Sequence, residues 1–225
     1  MRPDSTATAI YGSSMAMDPL LDEQIAYYRA IASEYDTHSI DAPGQPEVLA
    51  AFDRFDIGGD VLELTCGQGI WTERLAGSAD SMTVVEAAPE MIDIAKKRLG
   101  DEPVTFIEAD LFTWQPERRW DSVFFGFWLS HVPDERLDAF WTMVADCLVP
   151  GGQAFFVDDN HRTEAELIEG PESSVVERRL HDGTAFRAVK VPYTASGLTE
   201  RLGDLGWDVA ADEAGPFYWG TATRS

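Results

Sequence analysis

The residues of this chain that can do chemistry stand at the ends of apolar runs. Val61-Leu62-Glu63-Leu64 leads into Thr65-Cys66-Gly67-Gln68-Gly69, and Ile70 to Leu75 then takes a helical pattern. A glycine-bearing turn lets a ligand approach the backbone, because no β-carbon intervenes. The helix start beside it offers unpaired N–H groups and a partial positive charge. Glu86 ends the next apolar run, where a carboxylate can accept both hydroxyl hydrogens of a ribose. This set suits an adenosine cofactor. A dinucleotide fingerprint wants a third glycine or alanine three residues past the second. That position is Thr72, preceded by bulky Trp71, so a nicotinamide or flavin is the weaker reading.

A second group of residues could serve group transfer. His131, in Trp128-Leu129-Ser130-His131, has an unperturbed pKa suited to a general base. It could equally structure the loop before Pro133. Asp158 and Asp159 could assist proton transfer or bind an amine, Asp158 as the catalytic candidate and Asp159 as an acceptor contact. They could also be solvated caps, and strand alternation turns only one of them inward. Trp128 walls an acceptor pocket or belongs to the core. Tyr28 and Tyr35, on one helical face, close over the site or simply pack. Arg178, Arg179, Arg187 and Lys190 cluster within thirteen positions. Arg179 and its neighbours form either a clamp for an anionic acceptor or a set of pairs with surface acids. The four histidines lack ligand spacing, so no metal is expected. Cys66 reads as a small residue packed in a tight turn rather than a nucleophile.

The elements that must position these groups alternate. Ser81–Val85, Val104–Ile107, Ser122–Phe127 and Gln153–Val157 read as strands, with helices over Pro89–Leu99 and Pro133–Leu148 between them. Such alternation implies a parallel sheet with helices on both faces. Upstream, Asp18–Asp36 and Val48–Phe55 read as helices after a mobile tail over 1–17. Pro150-Gly151-Gly152 reads as a turn. Val175–Leu180 and Thr184–Val191 flank His181-Asp182-Gly183, a hairpin signal. A hairpin there serves as a lid, or its apolar face as a homodimer contact. A helix carrying Leu198, Leu202 and Leu205 precedes a closing antiparallel pair, Trp207–Ala211 and Phe217–Ala222. The expected organisation is one domain over 1–225: lid helices at 18–56, a cofactor core at 57–160, a hairpin insertion at 161–193 and a closing unit at 194–225.

Composition narrows the partners. The 225 residues are 44% hydrophobic, enough for a packed core. Forty acidic against 17 basic residues give a formal charge of −23, a surface that repels nucleic acid and anionic lipid. No apolar run approaches membrane-spanning length, and the N-terminus lacks signal-peptide character. Two cysteines fit a reducing compartment. The expected setting is the cytoplasm, with a small-molecule partner and neither nucleic acid nor membrane.

Four pieces in order, Val61-Leu-Glu-Leu-Thr-Cys-Gly-Gln-Gly69, Val85-Glu-Ala-Ala-Pro-Glu-Met91, Glu108-Ala-Asp110 and Leu148-Val-Pro-Gly-Gly152, resemble the class I S-adenosylmethionine (SAM)-dependent methyltransferases over about residues 60–160. The helix around Tyr27-Tyr28 resembles the lid helix of their small-molecule branch. The resemblance implies a seven-stranded Rossmann-like α/β sheet, SAM as cofactor and S-adenosylhomocysteine (SAH) as product. It implies Glu63 near the methionine ammonium, and Gly67 and Gly69 along the amino-acid moiety. Glu86 would hold the ribose, with Ala87, Met91, Asp110 and Leu111 around the adenine. Phe125, Gly126 and Phe127 would flank the sulfonium end. Thr65 departs from the family's glycine; its hydroxyl meets the cofactor carboxylate or caps the turn. The implied reaction is methyl transfer to an O, N or C atom of a small molecule in specialised metabolism. SAM binding without transfer and methylation of a protein are the alternatives.

Overall fold

The computed structural model describes residues 19–34 and 43–225. Tyr35 and the tail at 1–17 lie outside the described residues. Nine strands and six α-helices are described: α1 (Pro19–Ile31), α2 (Gln45–Phe52), β1 (Asp60–Leu64), α3 (Ile70–Ala76), β2 (Ser81–Glu86), α4 (Pro89–Leu99), β3 (Val104–Glu108), β4 (Trp120–Gly126), α5 (Leu137–Cys147), β5 (Leu148–Asp159), β6 (Val175–Arg179), β7 (Ala185–Val189), α6 (Ala195–Asp204), β8 (Trp207–Ala214) and β9 (Phe217–Arg224). Seven strands form one sheet in the order β3-β2-β1-β4-β5-β9-β8, while β6 and β7 form a separate hairpin. The first five are parallel and β9 runs antiparallel to both neighbours. This is the seven-stranded, Rossmann-like α/β sheet that the sequence resemblance implies, with an extra hairpin after β5.

Strand alternation divides the core between the two faces. Val61, Val84, Phe124 and Phe155 pack with Val48 and Phe52 of α2, Leu75 of α3 and Ala95 of α4. Leu62, Val85, Phe125 and Phe156 pack with Trp141 of α5 and Leu198 of α6. Parallel strands buried on both faces are apolar almost throughout, which is why their runs were legible.

Several boundaries differ from the sequence reading. The stretch Pro133–Leu148 divides into a 3₁₀ turn at Asp134–Arg136 and α5. Strand β5 already begins at Leu148, so Pro150-Gly151-Gly152 lies inside it rather than forming a turn, with a register shift opposite Trp120–Ser122. Helix α2 starts earlier than Val48, because Gly44 caps it and Pro46 suits its first turn. The hairpin's Val176, Ala188 and Val189 are buried, and β7 packs against α1. Its apolar side is thereby covered within the chain. Among the described residues no helix is long and apolar enough to cross a membrane.

Candidate functional site

The cleft opens where the strand order reverses, between the C-terminal ends of β1 and β4, as expected for an open α/β sheet. It is only partly enclosed and opens to solvent. Its roof is α1, which contributes Leu21, Gln24, Ile25 and Tyr28.

One end is built around Glu86. Its Oε2 accepts the Gly67 N–H at 3.1 Å and its Oε1 the Ala88 N–H at 2.9 Å, so the carboxylate is fixed between the glycine turn and the start of α4. Burial raises its pKa and those backbone N–H groups oppose the rise. Ala87, Met91, Asp110 and Leu111 line the same end. Asp110 accepts the Phe112 N–H through Oδ1 at 2.9 Å. A β-carbon on Gly67 would meet nothing within 4 Å, so the turn borders open space. Thr65 takes a left-handed φ of 60°, and its hydroxyl donates to the Leu64 carbonyl at 2.6 Å, capping the turn. Behind the turn, Gly69 meets Ala95 of α4: a β-carbon there would lie 2.9 Å from the Ala95 methyl. Gly69 therefore brings two helices together rather than lining the cleft.

Glu63 is buried, and its Oε2 lacks a hydrogen-bond partner. Burial pushes its pKa up to about 8; the Thr72 hydroxyl lowers it and Glu86 raises it further. Its Oε2 is an acceptor that the ammonium of SAM could use, although Glu63 itself does not line the cleft. Along the lining, Glu86 could hold a ribose and Asp110 an adenine edge, with Met91 and Leu111 beside its faces.

The other end is built around His131, which is 4% exposed. Its Nδ1 lies 2.6 Å from the Val189 carbonyl, and its Nε2 lies 3.0 Å from the Tyr28 hydroxyl. A carbonyl only accepts, so Nδ1 carries the proton and the Nε2 lone pair accepts the Tyr28 O–H. Burial drives the His131 pKa well below the ordinary range, and Lys190 and Arg178 drive it further. The ring is neutral. Phe127 and Trp128 wall this end, and Trp128 packs on Phe112 with centroids 5.6 Å apart.

Besides Gly69, four expected site residues are placed elsewhere. Phe125 is fully buried on the opposite face, stacked on Phe156 and edge-on to Trp141. Alternation turns it toward α5 while Gly126 and Phe127 face the cleft. Asp158 and Asp159 are both buried beneath the site, contrary to the expectation that one would face out. Lys190 Nζ reaches across the strand end to both, at 3.6 and 3.2 Å. Asp158 also accepts the Ser130 N–H at 2.8 Å and the Ser130 hydroxyl at 2.9 Å, and burial raises its pKa. Asp158 thus supports the His131 turn from below. Arg179 is exposed and pairs with Glu177 at 2.5 Å. Arg178 pairs with Glu166, and Arg187 with Glu23 at 2.8 Å. The basic hairpin is paired internally and is not a set of open arms.

Gln24, Gln68, Trp71 and Phe112 also line the cleft and escaped the sequence reading. Gln24 was findable as the residue one helical turn before Tyr28 on the same face. Trp71 lies across Gly126, where a β-carbon would stand 2.7 Å from the indole nitrogen. Cys66 lines the cleft too, but burial, Glu86 and Glu63 raise its thiol pKa well above the ordinary value, which leaves it unreactive. Among the described residues no group of three or more His, Cys, Asp or Glu is placed to hold a metal ion.

Residues 61–152 match a family model described as a methyltransferase domain. A solved structure of DhpI with SAM and HEP is 40% identical, covering 94% of this chain and 100% of that one, with a TM-score of 0.82. The DhpI–SAH complex is 41% identical, covering 92% and 97%, with a TM-score of 0.80. Alpha N-terminal protein methyltransferase 1 of Schizosaccharomyces pombe is 32% identical over 137 residues, 59% of this chain and 62% of that protein. A ubiquinone biosynthesis O-methyltransferase of Xylella fastidiosa is 32% identical over 133 residues, 56% and 52%. The chain thus spans less than two thirds of these two curated relatives and nearly all of the DhpI structures. With the sheet order, the cleft and this likeness together, the chain belongs to the class I SAM-dependent methyltransferases.

Proposed function

We propose that the protein transfers the methyl group of SAM to an oxygen atom of a small-molecule acceptor, with His131 as the general base. The observation that carries this reading is the placement of His131 at the cleft wall, with Nδ1 on the Val189 carbonyl and Nε2 facing the Tyr28 hydroxyl. SAM supplies a methyl carbon on a sulfonium, and displacement at that carbon demands alignment above all. Glu63, Glu86, Asp110 and the glycine turn hold and orient the donor. Phe127, Trp128 and Tyr28 exclude water and fix the acceptor's approach, and such positioning is worth roughly 7–11 kcal/mol. His131 Nε2 takes the acceptor's proton, directly or through the Tyr28 hydroxyl, as the new C–O bond forms and the C–S bond breaks.

An oxygen acceptor is supported by the likeness to the ubiquinone biosynthesis O-methyltransferase of Xylella fastidiosa. The DhpI complex with SAM and HEP supports a second ligand beside the cofactor in this architecture. A protein acceptor is the second reading, supported by the likeness to the alpha N-terminal protein methyltransferase.

The test uses methyl-labelled SAM with panels of phenols, hydroxy acids and carboxylic acids, a host metabolite extract and host protein. Label in an ether or ester product, reduced about 10²–10⁴-fold by His131→Gln, supports the proposal. Label only in protein favours the second reading, and SAM binding without transfer to any acceptor removes both.

A further inference from the structure

We infer that Gln24 is a positioning residue: it holds His131 in the Nδ1–H tautomer, so that the base is completed by the same helix that roofs the cleft. This rests on the reading of His131 as the base. Gln24 is 2% exposed, and both ends of its amide are used. Nε2 donates to the His131 carbonyl at 3.3 Å, and Oε1 accepts the Val189 N–H at 2.9 Å. The polarity of both partners is fixed by the backbone, so the amide orientation is fixed too. Glutamate lacks the donor, methionine lacks both functions, and asparagine is one methylene shorter.

The three residues close a ring of contacts. Gln24 ties the His131 backbone to the Val189 N–H, and the Val189 carbonyl accepts from His131 Nδ1. The distance that sets the tautomer is therefore bridged by Gln24. One helical turn on, Tyr28 meets the other ring nitrogen at 3.0 Å. Positions four apart share a helix face, so α1 grips His131 at its backbone and at its ring tip. The turn itself is also held from below, by Val191 N–H on the Ser130 carbonyl at 2.7 Å and by Asp158 on the Ser130 N–H. Those contacts do not involve α1. They keep the turn folded, whereas the ring's two nitrogens are set by the hairpin carbonyl that Gln24 registers and by Tyr28.

Consequently a ligand entering under α1 and the orientation of the base depend on one element. With α1 displaced, Tyr28 and Gln24 leave together, and His131 loses both the acceptor-side contact at Nε2 and the bridge that holds Val189 against Nδ1.

The test compares imidazole ¹H–¹⁵N spectra of the ¹⁵N-labelled full chain with SAH bound, at neutral pH, assigning His131 by its loss in His131→Gln. Wild type is expected to show one pattern, Nδ1 protonated and Nε2 bare. Gln24→Met, of matching length, is expected to show averaging between tautomers, and a kcat lower by about tenfold to 10²-fold with a smaller change in KM for SAM. Gln24→Glu keeps the Val189 contact and loses the donor to His131, so it repeats the comparison should Gln24→Met fail to fold. Either folded variant retaining the single Nδ1–H pattern overturns the inference. Tautomer averaging together with full methyl transfer by His131→Gln removes the base reading and leaves the clamp standing.

Discussion

The imidazole of His131 donates from Nδ1 to the Val189 carbonyl at 2.6 Å, a bond between a turn at the end of β4 and the inserted hairpin. It joins two segments 58 residues apart and leaves Nε2 as the acceptor beside Tyr28. Because the ring is buried and neutral, its folded pKa lies below the unfolded value of about 6.5. The sign follows. The stabilisation from the neutral ring is fully present above about pH 6.5 and is lost as pH falls toward the folded pKa. Urea unfolding of wild type at pH 7 and pH 5 should show this loss, and His131→Gln should show a smaller one. An equal pH dependence in both would remove His131 as its source.

Glu63 titrates in the opposite sense. Its folded pKa of about 8 lies above the unfolded value of about 4.3. Its contribution is greatest below the unfolded value and is lost as pH rises through 8. At neutral pH the cofactor-free protein therefore holds a proton on Glu63, and an ammonium arriving there should expel it. Calorimetric titration with SAM at pH 7, in buffers of different ionisation enthalpy, should report net proton release. Glu63→Gln should abolish the release and weaken SAM about 10- to 100-fold, the worth of a hydrogen bond to a charged group.

Phe125→Ala and Phe127→Ala should separate stability from binding. Phe125 is sealed among Phe140, Trp141 and Phe156, so its truncation should cost about 3–5 kcal/mol with SAH affinity unchanged in the folded fraction. Phe127 lines the cleft, and its truncation should weaken ligand binding more than folding. Denaturant melts and SAH titrations of the two variants decide the assignment.

The hairpin's cations should behave as two classes. Arg179 and Arg187 are more than half exposed, so each alanine variant should change stability by no more than about 1 kcal/mol. Lys190 lies buried between Asp158 and Asp159. Lys190→Met should destabilise by about 3–5 kcal/mol, because it leaves two buried carboxylates without a cation. Chemical denaturation of the three variants gives the comparison, and a mild Lys190→Met would refute the buried-pair account.

The primary sequence determined the elements that depend on local pattern. Apolar runs ending at Leu64, Glu86 and Phe127 announced parallel strands. The glycine turn with Glu86 announced a nucleoside site, and the four ordered motifs announced the family. Side-chain direction at the strand ends was less legible. Phe125, in the same run as Gly126 and Phe127, turns to the opposite face because of pleat phase. Asp158 and Asp159 are both buried because Lys190, 32 and 31 residues on, crosses the strand end to meet them.

Tertiary structure alone decided the chemistry at the far end of the cleft. Which nitrogen of His131 carries the proton depends on a carbonyl from the hairpin and an amide from α1, separated from it by 58 and 107 residues. A backbone carbonyl has no sequence signature, and a glutamine on an amphipathic helix reads as surface until another element covers it. Burial then turns an ordinary histidine into a neutral base, because desolvation and two nearby cations act only when the chain has brought them together.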